Sequence, residues 1–485
     1  MTRVKAGFVL CTLLGVSLAM AQQSPVNSTD SITVQGNLRA RMEVWNWFEP
    51  DSGVNNYVFS GNALRLSVSR SVQRWDWQAE LAAPSLLGLP DRAARTGTQG
   101  QFGLGANYFL ANHSRNTVMV FPKQLFFRWK DLGGVTGQSL RLGRFEFGDG
   151  AERAPGNAVL AAAKREHVNQ RLIGTFAFTH VGRSFDGVQY SFNRPRGNFT
   201  VVAAIPTRGV FQTDGWGWNR VGFSYAAFTR EWGTPRHAAE SRLFVLEYAD
   251  WRHVLKADNR PAPIRSLDTA NIRIETFGGH TLHAVSAEGG LVDVLAWGTV
   301  QTGRWGAEEH RAWAVDFEAG FQPEVLPRLN PWLRGGFTRG SGDGNPDDNK
   351  HATFFQALPT PRLYARFPFF NMMNTEDRFA SIVVSQHDDV TLSGEFHSLR
   401  LASKNDHWYS GGGVYQPWTF GYAGRAPGGA RSLANLYDLQ AEYRLTPEVT
   451  VTGYFGYAQG LGVPHAIYPR GKDGAFGYIE LNHRF

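Results

Sequence analysis

Polar and apolar residues alternate along much of this chain with a period of two. In "SITVQGNLRARMEVW", Ile32, Val34, Leu38, Ala40, Met42 and Val44 share one parity, and Thr33, Gln35, Asn37, Arg39, Arg41 and Glu43 share the other. Side chains that point alternately to two faces define a β-strand. The run exceeds the ~9–11 tilted residues that cross a bilayer. The pattern recurs in "NALRLSVSR", "WDWQAELA", "KQLFFRWKDL", "YDLQAEYRL" and "EVTVTGYFGY". In these, Leu64, Leu66, Trp75, Trp77, Leu125, Trp129, Leu439 and Phe455 fall on the apolar side. The last strand, "GYIELNHRF", sets Ile479, Leu481 and Phe485 against Glu480, Asn482 and Arg484, with His483 the one polar residue on the apolar face. An unpaired edge of this kind invites aggregation, and closure onto the first strand removes it. The expected fold is all-β: a transmembrane antiparallel β-barrel with long extracellular loops. At about 25 residues for a strand and its connection, the chain supplies about 18 strands, an even number as such barrels require. A run such as "LVDVLAWGTVQTG" is apolar on both faces and has no orientation by pattern.

The other end reads differently. "MTRVKAGFVLCTLLGVSLAMAQQ" has basic Arg3 and Lys5, an apolar middle and an A-x-A site at Ala19-Met20-Ala21. That is a secretory signal peptide, residues 1–21, followed by one barrel domain over 22–485. Cys11, the single cysteine, lies in the removed segment, so disulfides and thiolate metal sites are excluded. No later stretch has the ~18 consecutive apolar residues of a spanning helix. The 485 residues include 54 Gly, 34 Phe, 15 Trp and 15 Tyr, and mean hydropathy is −0.31, which suits an exported barrel in the outer membrane of a Gram-negative-type bacterium. The net charge of +7 is mild and matters only where it is concentrated.

It is concentrated on the inward parity. Arg39, Arg41, Arg65, Arg128 and Lys130 form a cationic stripe, with Glu43, Asp76 and Glu80 as available partners. Guanidinium groups in a confined channel attract carboxylates and orient them by paired hydrogen bonds. No nucleophile elbow, H-E-x-x-H or phosphate loop is present, so no catalytic residue is assigned and an enzyme is not expected. "DGNPDDN" spaces Asp343 and Asp347 as in a calcium loop, but position six is Asp348 and position twelve Phe354, so a solvated turn is the better reading over weak calcium binding. The Ala-rich run at 156–168 has the composition of a short helix, a lid at a pore mouth or a surface loop.

Several stretches resemble the alginate export family of outer-membrane porins. "RLIGTFAFTHVGRSFDGVQYSF" carries an R-x-F-D-G element, "WGTVQTGRWG" a Q-x-G, "GSGDGNPDDNKHATFFQALPTPR" an S-G-D loop, and "FHSLRLASKNDHWYSGGG" an H-x-x-x-L-A…D-x-W-Y segment. The resemblance implies a monomeric barrel of eighteen strands with an Arg-lined constriction that passively exports alginate. It adds Arg183, Asp186, Gln301, His397 and Asp438 to the pore-lining candidates Arg39, Arg41, Glu43, Arg65, Glu80, Arg128 and Lys130. The family's late E-x-D pair stands here as Leu436 and Asp438. The expected function is an outer-membrane channel passing an anionic polysaccharide or oligosaccharide by passive diffusion. The alternative is a general or nutrient-uptake porin with mild anion selectivity. Expected partners are the acidic saccharide, outer-membrane lipids and the barrel-assembly machinery, with no nucleic acid and no cofactor.

Overall fold

A computed structural model describes residues 31–485 apart from positions 235, 362, 363, 369, 370 and 388; the segment read as a signal peptide lies outside the described residues. The chain begins with β1 (Ile32–Asn46), β2 (Asn56–Ser71), β3 (Trp75–Leu87), helix α1 (Leu104–Asn112), β4 (Thr117–Val118), β5 (Phe121–Lys130) and β6 (Gln138–Phe145). Helix α2 (Ala158–His167) precedes β7 (Phe185–Arg194), β8 (Gly197–Pro206), β9 (Val221–Thr234) and β10 (His237–Asp250). After α3 (Ala262–Leu267) come β11 (Ile272–Ala287), β12 (Gly290–Trp305), β13 (Glu308–Pro323), β14 (Trp332–Gly340) and β15 (Lys350–His351). The remainder is β16 (Thr375–His387), β17 (Val390–Leu401), β18 (Trp408–Gly411), β19 (Tyr422–Arg425), β20 (Ser432–Arg444), β21 (Val449–Gly460), α4 (Gly462–Ile467) and β22 (Gly474–Arg484).

Eighteen of these strands make a closed antiparallel barrel. The two-residue β4 and β15 are appended to the wall, and β18 and β19 pair separately. Each wall strand pairs with its neighbour in sequence, and β22 returns to β1 in the register Asn37↔Arg484 to Asn46↔Ala475. Phe485 completes the seam. Its backbone exchanges hydrogen bonds with Gly36 at 2.7 and 3.0 Å. Its ring lies where a side chain on Gly36 would stand, so that position has room only for glycine. No helix among the described residues is long and apolar enough to cross a membrane; the strands do the crossing.

The alternation read from the sequence sets the two faces. Val34, Leu66, Leu243 and Ile479 are exposed on the outside, as in a lipid-facing band. Arg41, Glu43, Asp76 and Glu80 are buried inside. Most short turns, such as 195–196 and 445–448, lie at the end where β1 starts and β22 finishes, which marks the periplasmic side; the tight turn 306–307 is the exception at the other end. The long connections at 88–120, 146–184, 251–271, 341–374 and 402–431 therefore start from the extracellular side.

Those connections fold back into the barrel. One buried cluster joins wall residues Trp45, Phe476 and Trp297 to Phe102, Tyr108, Phe176, Phe367 and Trp408 from the inward segments. Trp45 stacks on Phe476 with ring centroids 4.2 Å apart and an interplanar angle of 6°. The lumen is thus partly a packed core and not only a polar, water-filled interior. This explains the two-faced apolarity of β12. Leu295 and Trp297 point inward and are buried where α2 packs against β10–β12.

The Ala-rich run is α2. Its N-cap Asn157 side chain accepts from the N–H groups of Val159 and Leu160, satisfying two otherwise orphaned donors. Val159, Leu160, Ala162 and Ala163 form its buried stripe. The helix is not a surface loop; it is docked inside the barrel by polar contacts. Lys164 Nζ lies 2.7 Å from Glu240, and His167 Nδ1 lies 3.0 Å from Glu318. Arg171, just beyond, pairs with Asp316.

Candidate channel lumen

The inward arginines of the first strands meet carboxylates. Arg41 donates to Glu480 at 2.7 Å and to Glu43 at 2.9 Å, and its guanidinium lies 4.3 Å from the centre of the Phe178 ring. Arg39 lies 3.7 Å from Glu480 and donates to the carbonyls of Ala177 and Thr179. Arg65 pairs with Glu80 and, at 2.9 Å, with Glu146. Arg128 donates through Nε and Nη2 to Asp76 at 3.0 and 2.7 Å, and Lys130 lies 3.6 Å from the same carboxylate. The expected stripe is therefore inside the barrel but neutralised by its neighbours. Arg39 and Arg41 also hold the inward segment 176–180 through its backbone carbonyls. Beside the nearby Glu43, Asp76 and Glu80, two of the neutralising carboxylates are remote in sequence: Glu146 is 81 positions from Arg65 and Glu480 is 439 from Arg41.

The remaining candidates divide. Arg183 is fully buried at the end of the inward segment and donates to the carbonyl of Gly412, tying two extracellular connections together. Asp186 is a correction. It stands opposite Ile205 and Arg144 in register, on the parity of Val188 and Tyr190, and so points outward. There it binds Arg144 at 2.7 Å and accepts from Trp218 at 2.5 Å. Phe185 takes the inward place. Gln301 is buried and structural: it bonds Phe355 through both backbone groups at 2.8 Å, and its Oε1 also accepts from His310 Nε2, 3.2 Å away. His397 and Asp438 both face the lumen and are buried. Asp343 is buried beside Asp406, whereas Asp347 is exposed.

Arg141, Arg183, Arg366 and Arg425 are buried inside and form no ion pair among the described residues. Arg183 and Arg425, both in the inward connections, are lowered by burial to about 10, which leaves them charged at neutral pH. Arg425 lies flat on Phe102, 3.6 Å from the ring centre, and donates to the carbonyls of Thr98 and Gly100 at 2.8 and 2.9 Å. Sequence reasoning missed it because "GYAGRAPGG" is glycine-rich and has no period. Arg141, between the outward Leu140 and Leu142, carried the signal of alternation.

Arg425 and Arg95 border a luminal cavity of 270 Å³ among the inward connections. Asn107, Asn371, Phe102 and Tyr415 also line it. Such a lining offers charge and amide groups for a polar solute and ring faces for its C–H surface.

The fold has solved counterparts. OccAB2 of Acinetobacter baumannii matches with a TM-score of 0.59 at 8% identity, over 94% of this chain and 98% of that one. Pseudomonas aeruginosa OccK2 (OpdF), solved in complex with glucuronate, matches at 0.56 and 8% identity over 94% and 96%. Pseudomonas aeruginosa OpdK, solved with vanillate, matches at 0.54 and 9% identity over 93% and 98%. A comparison with curated protein sequences finds no match. These counterparts share the closed barrel; the barrel together with the alginate export family model makes the protein an outer-membrane channel. A model of the family described as alginate export matches residues 122–459, over half of the sequence and most of the wall with its inward connections, and the chain belongs to that family.

Proposed function

We propose that this channel passes short acidic saccharides of the uronate type across the outer membrane, down their gradient and without bond chemistry. The observation that carries the reading is the luminal cavity where Arg425, unpaired by any carboxylate, stands among amides and aromatic rings. At 270 Å³ it falls just below the ~300–1,000 Å³ of pockets that hold drug-sized ligands, which favours a small solute over a bulky one. Family membership supports an acidic saccharide, and two related folds were solved with small carboxylic acids, glucuronate and vanillate. Several weak contacts along a packed lumen suit entry and exit alike. The expected Arg39, Arg41 and Arg65 patch is not part of this reading, since each already has an acidic partner.

Planar-bilayer recording tests it. Glucuronate and short uronate oligomers should block single channels at lower concentration than neutral sugars of equal size. Arg425→Gln should weaken uronate block several-fold and leave neutral-sugar block unchanged. Equal block by charged and neutral sugars in the parent protein would favour a general porin instead.

A further inference from the structure

Three adjacent wall strands bring four titratable side chains to one luminal spot. Glu395 and His397 come from β17, Asp438 from β20 and Asp377 from β16, with Glu395 opposite Asp438 in register. His397 Nδ1 lies 2.8 Å from Asp377 Oδ2. Since a carboxylate only accepts, Nδ1 carries a proton, and in the neutral imidazole the Nε2 lone pair is then free. Nε2 has no hydrogen-bond partner; Glu395 Oε2 is nearest at 3.6 Å. Asp438 accepts from the Tyr454 hydroxyl on Oδ1, while its Oδ2 has no partner. His397 and Asp438 are only 2% and 3% exposed, so water does not satisfy these atoms from bulk. One ligand atom each from Glu395, His397 and Asp438 lies within 4.8 Å of the others.

We propose that Glu395, His397 and Asp438 bind a divalent transition-metal ion, with Zn²⁺ as the fitting probe. An imidazole whose far nitrogen is held by a carboxylate is the usual arrangement behind a metal-bound histidine, because it fixes the tautomer and raises ligand basicity. One imidazole and two carboxylates suit Zn²⁺ better than the oxygen-only preference of Ca²⁺ or Mg²⁺. Bonds of about 2.0–2.1 Å in a tetrahedron place ligands about 3.3 Å apart, so the three side chains draw in by rotamer adjustment. The fourth position stays open to water or a solute oxygen. The competing arrangement is an imidazolium bridging Asp377 and Glu395 with no metal. A bound dication would add to the positive charge with which Arg366 already faces Glu395 and Asp438; this consequence, unlike the site, rests on the proposed function.

The test is Zn²⁺ titration of the folded, detergent-solubilised barrel by calorimetry, with anomalous scattering to place the ion. The expected result is one Zn²⁺ on His397, with Ca²⁺ and Mg²⁺ binding far more weakly. His397→Gln and Asp438→Asn should remove binding, and Asp377→Asn should weaken it by about 10–100-fold. Where a variant fails to fold, by loss of heat-modifiable mobility, the other two and the anomalous map decide. No Zn²⁺ bound, binding unchanged in His397→Gln, or an ion on the periplasmic-side pair His237 and His283 instead would overturn the proposal. None of these outcomes bears on uronate block, so the two readings fail separately.

Discussion

At the level of single residues, parity decides cost. Leu66 is exposed on the outer face and Ser67 points inward opposite Glu80. Leu66→Arg should cost about 2–4 kcal/mol if it stands near the midplane, because the charge is then desolvated by lipid. Ser67→Arg, facing Glu80, should cost little. Urea titration of the barrel in lipid vesicles measures both, and equal losses would contradict the register. The same parity was legible in the sequence for Arg39, Arg41, Arg65, Arg128 and Lys130, all of which face inward. Their nearby partners Glu43, Asp76 and Glu80 were legible as well, but the distant contacts were not. Glu480 reaches Arg41 only because the barrel closes, and Ala177 reaches Arg39 only because a connection turns inward. Asp186 misled because a family motif carries no parity of its own; the register of β7 against β6 and β8 supplies it.

Among the elements, the inward connections hold the titrating groups of most consequence. Asp406, at the head of β18, accepts from Thr353 and Tyr409 hydroxyls at 2.6 Å and from the Asp343 N–H at 2.9 Å. Burial nevertheless pushes Asp406 up to about 6, and burial, with Asp406 close by, pushes Asp343 up to about 7. Unfolded aspartates titrate near about 4. Between those values the folded form keeps a proton that the open form has lost, so the docking of 341–374 against 402–431 weakens as pH rises through this window. Protease cleavage within these connections should be slower at pH 5 than at pH 8. Asp343→Asn should flatten much of that difference; an unchanged profile would place the titration elsewhere. The helical character of α2 was legible from its alanines and Asn157. Its place inside the barrel was not, since its short apolar stripe would fit many surfaces and its acidic partners Glu240 and Glu318 lie on distant strands.

For the whole molecule, closure is the critical event. β22 must find β1 across the full length of the chain, and Phe485 caps that seam through its backbone bonds and a ring seated on Gly36. Phe485→Ala should lower the fraction of protein that migrates as folded, heat-modifiable barrel on unheated gels. An undiminished fraction would show that the seam holds without the ring. The strand count and the single-sheet architecture were readable because alternation and turn spacing are local signals repeated along the chain. The filled lumen was not, because its aromatic cluster is assembled from residues such as Trp45, Phe102, Phe367 and Trp408 whose sequence neighbourhoods share no period.

That shared cluster has a mechanical corollary. Trp45 and Phe476 belong to the wall and Phe367 to an inward connection that plugs the lumen like a stopper, and the three rings pack against one another. Such a stopper is no cork to be pulled, since drawing it out would strip the wall of its own inner lining. Where wall and inward connections share this cluster, traffic has to thread between side chains and not past a plug that leaves as one piece.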